Sequence, residues 1–172
     1  FRWYMSPSST DKILDLGSED GTFIAQVIPF RENVVLADID EQMLARGRAR
    51  YGFKTALLDG SGVLPFEDNQ FDIVHCSSVI EHVTGVKSGQ YRLEAERDFL
   101  QIARRRQQEF ADEIRRVGKS YFVQTPNKNF VFESHSWLPL VQFLPRRLLL
   151  KIIGFTNKRW FKKTSGNWSL LT

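Results

Sequence analysis

A turn that combines glycine with acidic residues follows a short apolar run near the start of the chain. In residues 13–23, Ile-Leu-Asp-Leu-Gly-Ser-Glu-Asp-Gly-Thr-Phe, Asp15 lies at the end of the apolar run, and Gly17 and Gly21 bound the turn. Glycine lets a backbone approach a ligand closely and adopt positive φ. No Lys or Arg lies between residue 13 and Arg31, so the turn suits a positively charged ligand better than an anion.

A second carboxylate, Asp38, follows the next apolar run. It lies 23 residues beyond Asp15, close to the separation of about 20 residues expected for an acid that binds ribose hydroxyls. Asp38 is therefore interpreted as a nucleoside ligand, although an acid here could simply end a strand. Asp40 is interpreted as the N-cap of the following helix.

A third acid, Asp59, is followed by Gly60 at the end of another apolar run. Its carboxylate could accept a hydrogen bond from an adenine amino group, with Ile39 and Leu58 against the faces of the ring. The competing interpretation is an ordinary Asp-Gly turn. The ligand interpretation of Asp59 is stronger because this motif follows the first two in the order expected for one nucleoside site.

Two other classes of phosphate-binding turn are excluded by the glycine pattern. Dinucleotide-binding folds use G-x-G-x-x-G, whereas three residues separate Gly17 from Gly21 here. A pyrophosphate would also lie beside Asp15, Glu19 and Asp20 without a nearby cation. No Gly-Lys-Ser/Thr triplet follows the turn, which excludes a P-loop.

Alternating strand and helix patterns explain how these acids come together. The predicted strands are 12–16, 33–37, 55–58, 71–76 and 120–125, and the predicted helices are 22–28, 41–51 and 91–117, with a further helical stretch beginning at 77–83 and Gly118 as a helix C-cap. This order predicts an α/β fold with a parallel sheet. Ligands of open parallel sheets bind at the carboxyl ends of the strands, where the three acids lie.

Length and composition predict one soluble domain over residues 1–172. The 172 residues are 42% hydrophobic and 26% charged, and the single Cys76 excludes a disulfide framework and a cysteine-based zinc site. We expect a cytoplasmic protein, because no export signal is evident at the start. Although residues 137–155 are largely apolar, Arg146, Arg147 and Lys151 exclude a transmembrane helix there.

Several ordered motifs together resemble the class I S-adenosylmethionine-dependent methyltransferases. Beyond the turn, Asp38 and Asp59, residues 64–74 (Leu-Pro-Phe-Glu-Asp-Asn-Gln-Phe-Asp-Ile-Val) and 77–83 (Ser-Ser-Val-Ile-Glu-His-Val) are similar to the "LPF-x-D-x-x-FD-x-V" pattern and following segment of a broad bacterial group, the "methyltransferase domain 11"-like group. Residues 121–127 resemble that group's fifth strand. The resemblance spans about residues 12–139.

The resemblance implies a Rossmann-like, doubly wound, mostly parallel sheet flanked by helices, and S-adenosylmethionine as the cofactor. The positions that match the family's cofactor contacts are Asp15, Gly17, Gly21, Asp38, Ile39, Asp59, Gly60 and Ser77. Glu19 departs from the pattern, since the family usually has a glycine there. No strand pair is predicted beyond Phe155, so the last strands of the fold are not expected. Residues 85–108 are interpreted as an inserted helical lid, and 137–172 as an acceptor-side segment.

Histidines are the candidate proton acceptors of such an enzyme. Methyl transfer is an in-line displacement that requires neither a metal nor a covalent intermediate, so no metal site is predicted. His82 follows the fourth strand, where the cofactor methyl is expected, and His135 lies near Glu133 in a segment that often lines the acceptor site. A lone histidine is more often structural or merely exposed, and His75 is interpreted as core packing.

The predicted function is methyl transfer to a small-molecule, lipid-linked or glycan acceptor. One alternative is a noncatalytic member of the fold, in which Glu19 weakens cofactor binding. The other is an RNA methyltransferase, because the net charge is +4 and basic residues concentrate in 104–106, 115–119 and 146–163. The absence of an aromatic RNA-binding signature argues against nucleic acid. Peripheral contact with anionic lipid through residues 146–155 is also compatible with the pattern.

Overall fold

Five parallel strands form one sheet in the computed structural model, which describes residues 2–85, 96–159, 164, 168 and 169. The strands are β1 (Ile13–Leu16), β2 (Val34–Asp38), β3 (Lys54–Leu57), β4 (Phe71–Ser77) and β5 (Gly118–Gln124). The helices are α1 (Arg2–Met5), α2 (Thr22–Val27), α3 (Glu41–Tyr51), α4 (Glu96–Val117) and α5 (Arg146–Thr156), with 3-10 turns at Ile80–His82 and Val141–Phe143. The strand order is β3-β2-β1-β4-β5, so the direction of winding reverses at β1.

The centre of the sheet is buried on both faces. Ile13 and Val34 pack in one cluster with Ile24 of α2 and Leu44 of α3. Alternate residues point to the opposite face because the strand repeat is two residues, and Leu14 there is also fully buried. This double burial explains why β1 is a continuous apolar run interrupted only by an acid.

The N-terminus of α3 has the predicted cap. Asp40 caps α3, since its side chain accepts hydrogen bonds from the main-chain N–H groups of Gln42 and Met43. Within α3, Gly47 lies close to the turn after β1: a Cβ at Gly47 would be 2.8 Å from the carbonyl oxygen of Asp20. The turn after β1 therefore packs directly on the α3 backbone.

Two predicted features near the later strands are wrong. Residues 77–83 do not begin a helix, because β4 extends to Ser77 and only the 3-10 turn Ile80–His82 follows. Gly118 does not cap α4: it is the first residue of β5, and the helix passes into the strand without a loop. A Cβ at Gly118 would lie 2.5 Å from Cγ2 of Val74, so glycine is needed for close packing.

The described residues divide into two compact units. The first comprises the sheet with residues up to 80 and 108–124, and the second comprises the described parts of 81–107 and 125–169. In the second unit, Leu149 and Ile153 of α5 form a buried cluster with Val141 and Trp168. Residues 86–95 of the predicted lid (85–108) lie outside the described part of the chain. The lid, and the interpretation of residues 1–172 as a single domain, stay predictions. Among the described helices, none has the length and apolarity needed to cross a bilayer.

Candidate cofactor site and a histidine cluster

The turn after β1 lies against the chain that leaves β4. Gly17 has φ of +70°, and its N–H donates to the carbonyl oxygen of Ala37, 2.8 Å away. A Cβ at Gly17 would lie 2.2 Å from Cγ2 of Val79, so no side chain fits there. β1 and β4 are the strands between which the winding order reverses, which is where ligands bind in open α/β sheets.

The same turn ends at Gly21, which also has a positive φ, +71°. A Cβ at Gly21 would lie 2.7 Å from Cδ1 of Leu36, so this glycine too is required by close packing. Asp20 accepts a hydrogen bond from the main-chain N–H of Thr22, and hydrogen bonds from Thr22 lower the pKa of Asp20. The turn therefore keeps an ionised acid at the start of α2.

Asp38 joins the ends of β1 and β2. One carboxylate oxygen accepts from the N–H of Glu19 at 2.9 Å, and the other accepts from the N–H of Asp40 at 3.0 Å. Each oxygen of an ionised carboxylate can accept two hydrogen bonds. Asp38 is half-buried, so it has lone pairs left for ribose hydroxyls while its orientation is fixed by the backbone.

Asp15 is held inside the sheet rather than at its edge. Its carboxylate is 2.6 Å from Nδ1 of His75, which pairs with it in the register of β1 and β4. The His75 ring stacks between the rings of Phe23 and Phe122, with centroids 5.6 Å and 6.0 Å away. Asp15 and His75 are both almost fully buried. The buried pair ties β1 to β4 just before the turn, and direct contact of Asp15 with a cofactor stays a prediction.

The edge above β2 and β3 combines an exposed apolar side chain with an acid. Ile39 is 69% exposed, and Gly60, with φ of +76°, lies beside it: a Cβ at Gly60 would be 3.9 Å from Cγ2 of Ile39. Asp59 accepts a hydrogen bond from the N–H of Ser61 at 2.8 Å, and hydrogen bonds from Ser61 lower the pKa of Asp59. An exposed aliphatic side chain beside an ionised carboxylate suits a flat, polar-edged ring.

The remaining predicted contact, Ser77, is the last residue of β4 and is half-buried. Glu19, where the family usually has glycine, adopts φ of +49°, a left-handed conformation that glycine takes without strain. The Glu19 side chain is exposed.

The first unit therefore carries Glu19, Asp20, Asp38, Asp40 and Asp59 at one edge of the sheet, a set we call the acidic rim. It favours a cation over a pyrophosphate.

A separate cluster in the second unit contains both predicted histidines. Nε2 of His82 and Nε2 of His135 are 3.2 Å apart, although 53 residues separate them along the chain. Their rings meet edge to face, with centroids 4.8 Å apart. Sequence reasoning predicted each histidine singly, but nothing in a single sequence indicates that they are in contact.

Glu133 fixes the orientation of His135. One Glu133 oxygen is 2.5 Å from Nδ1 of His135 and also accepts from the His135 main-chain N–H, and the other accepts from the N–H and hydroxyl of Ser136. Burial opposes ionisation of Glu133, yet the hydrogen bonds from His135 and Ser136 lower its pKa. The Trp168 ring stacks on the His135 ring, with the ring centroids 5.0 Å apart and the planes at an angle of 12°.

Glu81 completes the cluster and was not among the predicted site residues. Its side chain is fully buried, and Oε1 lies 3.9 Å from Nε2 of His135. Within the part of the chain that the structure describes, neither carboxylate oxygen has a hydrogen-bond partner. Burial raises the pKa of Glu81, against the opposing effects of its own main-chain N–H, of His82 and of His135. Its position directly before His82 was the available signal.

Comparison with known proteins places this geometry in a family. Residues 14–121, more than half of the chain, match the family described as "Methyltransferase domain". No curated protein is significantly similar in sequence to the chain.

Solved structures resemble the chain over part of its length. An S-adenosylmethionine-dependent methyltransferase from Clostridium acetobutylicum has a TM-score of 0.54 at 14% identity, over 76% of this chain and 48% of that one. A Pyrococcus horikoshii protein has 0.45 at 25% identity, over 71% and 52%. An S-adenosylmethionine-dependent methyltransferase from Mesorhizobium loti has 0.39 at 27% identity, over 46% and 39%. The chain thus spans about half or less of these proteins. The Clostridium structure and the five-stranded parallel sheet confirm the predicted fold class.

Proposed function

Because the chain belongs to the methyltransferase domain family, we propose that the protein transfers a methyl group from S-adenosylmethionine to a small-molecule, lipid-linked or glycan acceptor. Family membership confirms the predicted methyltransferase domain. The acceptor class and the role of each residue below are proposed.

The observation that carries the proposal is the acidic rim beside Gly17. Gly17 is required in the turn that carries the rim, because its φ is +70° and a Cβ there would lie 2.2 Å from Cγ2 of Val79. Asp38 has both oxygens oriented by main-chain N–H groups. A ligand that combines ribose with positive charge fits this set of donors and acceptors, and S-adenosylmethionine carries both a sulfonium and an ammonium group.

Two acids of the rim have distinct proposed tasks. Bound S-adenosylmethionine supplies a methyl group on a positively charged sulfur, which an acceptor can attack in line. Asp38 would accept hydrogen bonds from the ribose hydroxyls, and Asp59 from the adenine amino group, with Ile39 against the ring. Because the rim holds the cofactor in one orientation, part of the entropic cost of alignment is met before reaction, an effect worth up to about 7–11 kcal/mol.

His82 and His135 stay the proposed proton acceptors. Glu133 lies 2.5 Å from Nδ1 of His135, and a ring that donates from Nδ1 to this carboxylate would keep a lone pair on Nε2. That lone pair could take a proton from an acceptor hydroxyl or amine. A base is needed only when the acceptor group is weakly acidic.

Calorimetric titration of the protein with S-adenosylmethionine and with S-adenosylhomocysteine tests the cofactor half of the proposal. We expect one equivalent of each to bind. Methyl transfer is then tested by mass spectrometry, as a gain of 14 Da on members of a panel of phenols, amines, lipid-linked hydroxyls and sugars. A cofactor-bound protein that methylates nothing in the panel would contradict the proposed acceptor classes.

A noncatalytic interaction module is the second candidate function. Glu19 favours it, because the family usually has glycine at this position and a side chain there can obstruct a cofactor bound at the turn. Absence of binding by folded protein in the same titration would support this second function.

A further inference from the structure

We propose that Glu81, His82 and His135 form a binding site for a divalent transition-metal ion in the second unit. One ligand atom from each of the three residues can be chosen so that all lie within 4.8 Å of one another. The inference concerns metal binding alone and does not depend on methyl transfer.

The distances suit a single ion. Ligand atoms bound tetrahedrally at about 2.1 Å lie about 3.4 Å apart. The two Nε2 atoms are 3.2 Å apart, and Oε1 of Glu81 is 3.9 Å from Nε2 of His135. Movement of the Glu81 side chain toward the two imidazoles would close the set around a metal.

The contact between His135 and Glu133 also favours a metal. The carboxylate of Glu133 lies 2.5 Å from Nδ1 of His135, while Nε2 of the same ring faces Nε2 of His82 and Oε1 of Glu81. Ligating histidines in metal sites commonly donate their other N–H to a carboxylate, which fixes the tautomer and makes the ligating nitrogen more basic.

The support around His135 extends beyond one hydrogen bond. Glu133 is itself buried and is held by the N–H and hydroxyl of Ser136. The Trp168 ring lies 5.0 Å from the His135 ring and nearly parallel to it. The imidazole is thus oriented before any ion arrives, which lowers the cost of binding.

Glu81 supplies an independent observation. Its side chain is fully buried, and both oxygens lack hydrogen-bond partners among the described residues. A buried carboxylate without partners is costly unless it is neutralised or paired. A divalent ion bound by Oε1 would provide that pairing.

The ligand set predicts the kind of ion and what it could do. Two imidazoles and one carboxylate are the protein ligands of zinc sites that keep an open fourth position. If the protein is the methyltransferase proposed above, a hydroxyl of the acceptor bound at that position would ionise more readily. Metal binding through both Nε2 atoms would then replace the proposed role of these histidines as bases.

The test uses chelator-treated full-length protein without any methyl donor. We expect calorimetric titration with Zn²⁺ to give one equivalent, and Co²⁺ to give visible d–d absorption typical of four-coordinate nitrogen and oxygen ligands. Glu81→Gln, which preserves shape, and His82→Ala, at an exposed position, should each weaken Zn²⁺ binding at least 100-fold. Glu133→Gln should weaken it 10- to 100-fold, since it removes the support of a ligand.

Asp112→Asn is the matched control, because this exposed acid of α4 makes surface contacts with Arg115 at 3.8 Å and Gln108 at 3.2 Å and is not one of the cluster residues. It should bind Zn²⁺ like the wild type. Circular dichroism on each variant establishes that the fold is kept. Absence of stoichiometric binding by the wild type would overturn the proposal. Unchanged binding by Glu81→Gln and Glu133→Gln would also overturn it, because a pair of surface histidines would then suffice.

Discussion

Asp38 has two tasks at the residue scale, since it orders the turns after β1 and β2 and is the proposed ribose ligand. We expect Asp38→Ala to weaken S-adenosylmethionine binding by about 10- to 100-fold, because hydrogen bonds to a charged group contribute about 1.5–3 kcal/mol. Calorimetric titration measures the change. Asp38→Asn keeps the shape and one acceptor, and should have an intermediate affinity. Asp112→Ala is the control, and an unchanged affinity for Asp38→Ala would show that the nucleoside binds elsewhere.

Glu19 gives a second prediction at this scale. Its φ of +49° is costly for a residue with a side chain, so Glu19→Gly should raise the free energy of unfolding by about 1 kcal/mol. Urea denaturation measures it. Asn69→Gly is the control, since Asn69 has a similar φ of +54° but asparagine tolerates this conformation. A Glu19→Gly protein no more stable than the wild type would show that the turn is unstrained.

At the element scale, Arg116 and Glu113 fasten α4 to the loop before β4. Arg116 donates to both Glu113 oxygens and to the carbonyl oxygens of Leu64 and Phe66, and Glu113 also accepts from the N–H of Leu64. Hydrogen bonding by Arg116 lowers the pKa of Glu113 against the effect of burial. A lowered pKa means that the ionised form stabilises the folded protein above the ordinary carboxyl pKa.

This sign gives a prediction for pH dependence. Glu113→Gln should cost about 1 kcal/mol of unfolding free energy at pH 7, a figure that allows for partial solvent screening. The wild type's advantage should begin to shrink as pH falls below about 4.3, the ordinary value for glutamate, and vanish below the lowered pKa. Melting temperatures from pH 3 to 7 measure it, with Asp112→Asn as control. A difference that is constant over this range would contradict an ionic origin.

The elements also show what a single sequence can predict. All five strands, α2 and α3 were predicted within a residue or two, because apolar runs, Asp40 and glycine turns are local signals. The prediction that Gly118 caps α4 was wrong because a glycine after a helix is compatible both with a C-cap and with close packing in a strand. The contacts Asp15–His75 and His82–His135 depend on strand register and on folding of distant segments, which local patterns do not contain.

At the scale of the whole molecule, net charge and local charge predict opposite behaviour. The chain carries +4 overall, which would repel S-adenosylmethionine, whereas the acidic rim would attract it. We expect the local field to dominate, because salt screens charges that lie more than about 10 Å apart at 0.1 M. Affinity for S-adenosylmethionine should therefore fall as salt rises.

S-adenosylhomocysteine is the matched ligand for that experiment, since it lacks the sulfonium charge. Its affinity should depend less on salt than that of S-adenosylmethionine between about 0.05 and 0.5 M NaCl, as measured by calorimetry. Equal slopes for the two ligands would mean that the rim does not act on the sulfonium.

Because Gly47 packs against the carbonyl of Asp20, helix α3 directly supports the turn after β1, where the cofactor is proposed to bind. A methyl group added at residue 47 would press on the main chain of that turn from behind, without touching any ligand. Cofactor affinity could thus be tuned by the bulk of a residue on a neighbouring helix, leaving every contacting side chain unaltered.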